Sequence, residues 1–213
     1  GDHDDYISRP RFLAISEFGP RSVIYHLGAR YIVNRVILPA DHEAPATGAA
    51  KLCGACGYLH PLDAQGVGPD LCEGCGARLG APLRQLLQMQ NVAARPRDRI
   101  NCDEEERVRM GYELRSALRF ADPGARRGRR DAVAAGADGA PLLRLSYGAG
   151  ATIRRLNLGW RRRANPNERG FVLDVERGYW ARNEAEVETD PDAPLSARRL
   201  RVLPYVEDRR NCL

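Results

Sequence analysis

Lysine is nearly absent from this chain. Of 33 basic residues one, Lys51, is lysine, and the other 32 are arginine. A phosphate-binding loop needs Gly-Lys followed by Ser or Thr, and Lys51 is followed by Leu52, which excludes a Walker A site. There is no G-x-S-x-G for a serine hydrolase and no H-E-x-x-H for a zinc peptidase. No two of the four histidines stand at i, i+4. Long apolar runs are missing too. No stretch approaches the roughly 18 apolar residues of a membrane helix, and the start, Gly-Asp-His-Asp-Asp-Tyr, is not an apolar signal segment. No nucleophile is paired with a base, so the chain reads as non-catalytic. The acids that invite another reading are better explained otherwise. Asp103-Glu104-Glu105 follows the mostly polar Arg99-Ile-Asn-Cys102 rather than a buried strand, so it reads as a capped helix start, not a magnesium box. Glu184, Glu186, Glu188, Asp190 and Asp192 lie in one acidic run and read as a solvated face, not nuclease ligands.

Cysteine, by contrast, is placed with purpose. Cys53 and Cys56 form one C-x2-C, fifteen residues intervene, and Cys72 and Cys75 form a second. This is the spacing of a four-cysteine zinc site. Each pair continues with glycine, Gly57 or Gly76, which lets the backbone turn back toward the sulfurs. Four thiolates fill every corner of a Zn²⁺ tetrahedron and leave no position for water, so the expected cofactor is structural zinc. Two disulfides or a redox pair are the weaker alternatives. The metal-spaced cysteines and the absence of a signal segment fit a reducing cytoplasm. Cys102 and Cys212 read as ordinary free thiols, and His60, between the pairs, as a loop histidine.

With 43% hydrophobic residues the 213-residue chain can build a real core in one large or two modest domains. The net charge is only +5, but the arginines cluster. Arg126, Arg127, Arg129 and Arg130 form one patch, Arg161, Arg162 and Arg163 a second, and Arg198, Arg199 and Arg201 a third. A guanidinium fork suits phosphate, so the first two patches are candidate nucleic-acid contacts, with a solvated face as the bland alternative. Trp160 beside Arg161, and Trp180 near Arg182, could each stack a base. Trp160 also continues the Leu156/Leu158 face, as a core residue would, and Trp180 fits either role.

Alternation of side chains dominates the rest of the chain. Strands are expected within 11–39, with a hairpin turning at Gly28-Ala29, and again at 112–120, 143–147, 152–160 and 171–175. Tyr179-Trp180 starts a return after the Arg177-Gly178 turn. A short strand at 201–206 is placed at a sheet edge because of Pro204. A helical turn is expected at 103–109, and loops at 40–51, 122–140 and 183–197. Residues 83–89 read equally as helix or strand. The expected fold is mainly β, an antiparallel sheet, sandwich or partly open barrel with few short helices and an inserted zinc ribbon. The expected organisation is a hairpin segment over 1–50, the ribbon over 51–80, and a β domain over 81–213 packing with the hairpin.

Several segments together resemble a known family. They are Ile15 to Tyr31, the Cys53-to-Tyr58 knuckle and its partner, Asp103-Glu-Glu-Glu-Arg107 with Gly111-Tyr-Glu-Leu-Arg115, Ile153 to Trp160, and Leu203 to Asn211. In combination they are similar to the C-terminal region of large bacterial superfamily-two helicases of the DEAD/DEAH type. Those proteins carry an MrfA-like four-cysteine zinc module and occur in phage-defence systems such as DISARM. The resemblance spans most of 11–211. It implies a fragment whose ATP-binding motor domains lie elsewhere in the parent chain, with Cys53, Cys56, Cys72 and Cys75 as zinc ligands and no catalytic residue. Its implied partners are DNA bound without regard to sequence, the motor domains, and defence-complex subunits. A docking module without DNA contact is the alternative.

Overall fold

The computed structural model describes residues 5–39, 45–97, 111–121, 129–148, 150–181 and 195–210. The protein is mainly β: these residues form one helix and twelve strands. No helix among them is long and apolar enough to cross a membrane.

The helix, α1 (Arg11–Glu17), replaces the strand expected there. Alternation in Phe-Leu-Ala-Ile-Ser suited a strand, but burial follows the helical spacing. Ile15 is buried while Leu13 is 49% exposed. Pro10 precedes the first turn, and its carbonyl accepts the amides of Leu13 and Ala14, both at 2.9 Å. The Ser22 hydroxyl donates to the Glu17 carbonyl at 2.7 Å. That bond satisfies one orphan acceptor of the last turn.

Two compact units follow from the contacts. One comprises 1–49, 83–115 and 155–206, the other 50–82, 116–154 and 207–213. In the first, strands β1 (Val23–His26) and β2 (Ala29–Val36) form the expected hairpin, with Val23 opposite Ile32 and His26 opposite Ala29. The turn residues are Leu27 and Gly28, one position earlier than expected, both at positive φ (48° and 78°). That is the type I′ geometry whose twist matches the flanking strands. Strand β6 (Val92–Pro96) pairs antiparallel with β2 and completes a three-stranded sheet.

The remaining strands are β3 (Thr47–Leu52), β4 (Leu59–Pro61), β5 (Leu83–Gln88), β7 (Tyr112–Phe120), β8 (Arg129–Ala135), β9 (Pro141–Gly148), β10 (Ala151–Trp160), β11 (Phe171–Asp174) and β12 (Arg199–Arg210). The largest sheet runs β4-β3-β5-β12-β10-β7, with β11 also paired to β12. Segment 83–88 is therefore a strand, and Gln85 at φ 56° breaks its regular pleat. The last strand is not at an edge. Strand β12 is twelve residues long and lies between β5 and β10, with Pro204 opposite Leu87 in a parallel ladder. Along its length β12 changes partner, from β11 at 199–202 to β5 at 203–205. The β5/β12 pair also makes this sheet mixed rather than purely antiparallel. Residues 129–135, expected as loop, form β8, which pairs with β9 as a separate two-stranded ribbon. The expected helical turn at 103–109, Cys102, Cys212, Arg126, Arg127, Arg182 and the acidic run 184–192 lie outside the described residues.

The core of the first unit is aromatic. Tyr112 stacks on Trp160 with centroids 4.5 Å apart, and Phe171 meets Tyr112, Trp160 and Trp180 edge-on at 5.7, 5.9 and 6.1 Å. Val36, Leu87, Leu173 and Val202 fill around them. Aromatic pairs in these geometries add about 0.5–1.5 kcal/mol each beyond area burial. The buried Tyr112 hydroxyl donates to the Pro20 carbonyl at 2.8 Å. It thereby avoids the desolvation cost of an unsatisfied polar group.

Candidate metal centre

The two C-x-x-C-Gly segments adopt the same turn. In the first, the Gly57 amide donates to the Cys53 carbonyl at 3.0 Å and the Cys53 amide to the Tyr58 carbonyl at 3.0 Å. In the second, the Gly76 amide donates to the Cys72 carbonyl and the Cys72 amide to the Ala77 carbonyl, both at 2.8 Å. Gly57 and Gly76 hold φ of 74° and 78°. This is the left-handed conformation that disfavours any residue with a Cβ. Their amides thus close the turns. Other amides donate to sulfur: those of Ala55 and Cys56 to Cys53, that of Tyr58 to Cys56, and those of Gly74, at 3.3 Å, and Cys75 to Cys72.

The turns bring four sulfurs together. The Sγ atoms of Cys53, Cys56, Cys72 and Cys75 all lie within 4.8 Å of one another, with Cys53 to Cys75 at 3.6 Å and Cys56 to Cys72 at 3.5 Å. A tetrahedron with metal–sulfur bonds of about 2.3 Å has sulfurs about 3.8 Å apart, so this cluster is sized to hold a metal ion. All four are free cysteines, Cys53 and Cys72 buried and Cys56 exposed.

Thiol ionisation in the cluster is divided. Burial opposes ionisation of Cys53, but the amides of Cys56 and Ala55, with the Cys56 and Cys75 thiols, outweigh it and hold its pKa at about 7. Burial pushes Cys72 up despite the amides of Cys75 and Gly74. Cys56 is raised strongly, by desolvation and by the three neighbouring sulfurs. Adjacent thiols resist losing all their protons together, and a divalent cation among them removes that resistance.

A shell of side chains surrounds the cluster. Tyr58, Phe120 and Ala151 pack on Cys53 and Cys72, with Leu79 and Leu118 nearby. The Phe120 amide donates to the Tyr58 hydroxyl at 3.3 Å, and the Leu118 amide to the Gly57 carbonyl at 3.0 Å, so strand β7 clamps the first turn. Arg129 clamps the second, donating to the Gly74 carbonyl at 3.0 Å and the Glu73 carbonyl at 3.4 Å. Arg119 donates to the Leu59 carbonyl at 3.1 Å and to Glu73 Oε2 at 3.2 Å. Both guanidinium groups lie over the Tyr58 ring, at 5.8 and 6.0 Å. Lys51 Nζ reaches the Pro69 carbonyl at 2.9 Å and Asp70 Oδ1 at 3.0 Å, fixing the end of the segment between the pairs. His60 is not in a loop. It sits on β4, fully buried, with Nε2 3.4 Å from Cys72 Sγ. Sequence spacing identified the four cysteines and missed Tyr58, His60, Glu73 and Arg119. The one legible signal was the closeness of the first three to the knuckles in sequence.

The described candidate nucleic-acid residues are in part taken up by the chain itself. Trp160 is 8% and Trp180 3% exposed, so both indoles belong to the core and offer no open face for a base. Arg163 is internal: it donates to Glu113 Oε2 at 2.6 Å, to the Trp160 carbonyl at 2.7 Å and to the Pro166 carbonyl at 3.2 Å. Arg161 donates to the Tyr112 carbonyl at 3.1 Å. Arg129 serves the second turn and pairs with Asp131 at 3.1 Å. Arg130, Arg161 and Arg162 are exposed. Comparison with protein-family models, with curated proteins and with solved structures finds no match for this chain.

Proposed function

We propose that this chain is a zinc-organised, non-catalytic accessory module, and that its parent is an ATP-dependent DNA helicase of the kind used in phage defence. The observation that carries the zinc reading is the set of four sulfurs within 4.8 Å on two matching turns. An all-thiolate set selects zinc over hard cations such as Mg²⁺ and Ca²⁺, and a closed tetrahedron makes the ion structural. The helicase setting rests on the sequence resemblance alone.

Within that setting, docking on a motor domain or partner subunit is favoured over direct DNA contact. Arg129, Arg161 and Arg163 are engaged with carbonyls and carboxylates of the chain itself, and both tryptophans are buried. Binding to single- and double-stranded DNA, measured from about 50 to 200 mM salt, separates the readings. Docking expects no salt-steep binding; a loss of about tenfold or more over that range is the mark of several phosphate contacts and supports the DNA reading instead. Elemental analysis of the reduced, purified chain is expected to show one zinc per molecule, lost in Cys53→Ser and Cys72→Ser. A metal-free wild-type chain overturns the zinc reading.

A further inference from the structure

His60 occupies one of the most protected positions beside the knuckles. It lies on β4 opposite Lys51 of β3, its ring is 1% exposed, and it packs against Tyr58 with centroids 5.2 Å apart. One edge of the ring presents Nε2 to Cys72 Sγ at 3.4 Å. The other presents Nδ1 to Glu73 Oε2 at 3.7 Å. That separation is too long for a direct hydrogen bond. The Glu73 oxygen is already held by Arg119 at 3.2 Å.

A buried zinc tetrathiolate carries two net negative charges, and its sulfurs need hydrogen-bond donors to be stable away from water. Cys72 is buried and receives the Gly74 amide at 3.3 Å. A bare Nε2 lone pair facing a thiolate would be repulsive, whereas an Nε2–H pointing at it is a charge-assisted bond. We infer that His60 is a positioning residue of the metal centre, donating its Nε2–H to the Cys72 thiolate and thereby retarding metal loss. The inference rests on the zinc reading above. It gives the centre a side-chain donor supplied by strand β4, so metal retention is coupled to pairing of β3 with β4.

The test uses the intact zinc-loaded chain. Nitrogen-15 NMR of the wild type is expected to show His60 protonated at Nε2. Zinc transfer to a chromogenic chelator is expected to be about 10- to 100-fold faster in His60→Leu, which keeps the bulk but removes the donor. His60→Gln, whose amide nitrogen can reach the place of Nε2, is expected to restore most of the difference. The cobalt-substituted protein should show a shifted thiolate-to-metal charge-transfer band in His60→Leu and not in His60→Gln. An unprotonated Nε2, or release from His60→Leu at the wild-type rate, overturns the inference and leaves zinc binding intact. Equal acceleration in the Leu and Gln variants reduces His60 to packing and also overturns it. A wild-type chain without metal overturns this inference and the zinc reading together. If His60→Leu does not fold, the NMR of the wild type still decides.

Discussion

Single residues show how this protein uses its arginines. Arg163 is 8% exposed on its side chain, and its fork is divided among Glu113, the Trp160 carbonyl and the Pro166 carbonyl. The Arg163 hydrogen bond holds the Glu113 carboxyl below its ordinary range, against the opposing effect of burial, with Arg169 and Arg115 adding attraction. A carboxyl depressed in the folded state contributes stability above its unfolded pKa, and loses it as pH falls through the folded value. Glu113→Gln is therefore expected to cost about 1–2 kcal/mol near pH 7, where Arg163 is left facing a neutral amide. The deficit should begin to shrink as pH falls below the ordinary carboxyl range, about 4.3, and close as pH passes through the depressed folded value, where the wild-type carboxyl also becomes neutral. Urea unfolding of both proteins at about pH 7 and about pH 3.5 measures this; a deficit that does not change with pH would show that the pair is held by packing rather than charge.

At the scale of elements, the hairpin β1/β2 carries a local conflict. Leu27 sits at φ 48° in a two-residue turn and is 83% exposed. A leucine gains nothing there by burial and bears the left-handed penalty that asparagine tolerates better. Leu27→Asn is expected to stabilise the protein by about 1 kcal/mol and raise Tm by about 2–4 °C. An unchanged or lower Tm would mean that the hairpin tip makes contacts the turn geometry does not require. The helix α1 and strand β8 illustrate the opposite case, where short-range pattern misleads. Five residues with mixed apolar content fit either period, and the Pro10 carbonyl decided for helix. Strand β8 has six of its seven residues exposed, so it lacks the buried stripe by which a strand is recognised.

At the scale of the molecule, two clusters among the described residues differ in chemistry. One is the aromatic cluster of Tyr112, Trp160, Phe171 and Trp180; the other is Tyr58, Phe120 and Ala151 around Cys53 and Cys72. Removing metal should act first on the second. Amides of Gly57 and Gly76, bonded to the Cys53 and Cys72 carbonyls, are expected to exchange faster with deuterium after chelation, because the turns they close lose their cross-link. The Trp180 amide, bonded to the Asn34 carbonyl at 2.9 Å in the aromatic unit, serves as the internal reference. An equal rise at Trp180 would show that the ion supports the entire fold rather than its own unit.

The four cysteines and the strands expected at 112–120, 152–160 and 171–175 were legible because their information is local. A C-x-x-C spacing places two sulfurs on one turn, and strict alternation marks a face that must be buried whatever covers it. The partners of those features were not legible. That Pro204 lies inside a sheet, that Arg163 is internal, that Trp160 and Trp180 meet through Phe171, and that His60 turns an edge to Cys72 all join residues distant in the chain. Sequence by itself determined which groups could ligate, alternate or turn. Only the tertiary structure decided which arginines and indoles were taken up internally, because burial and pairing are properties of neighbours in space.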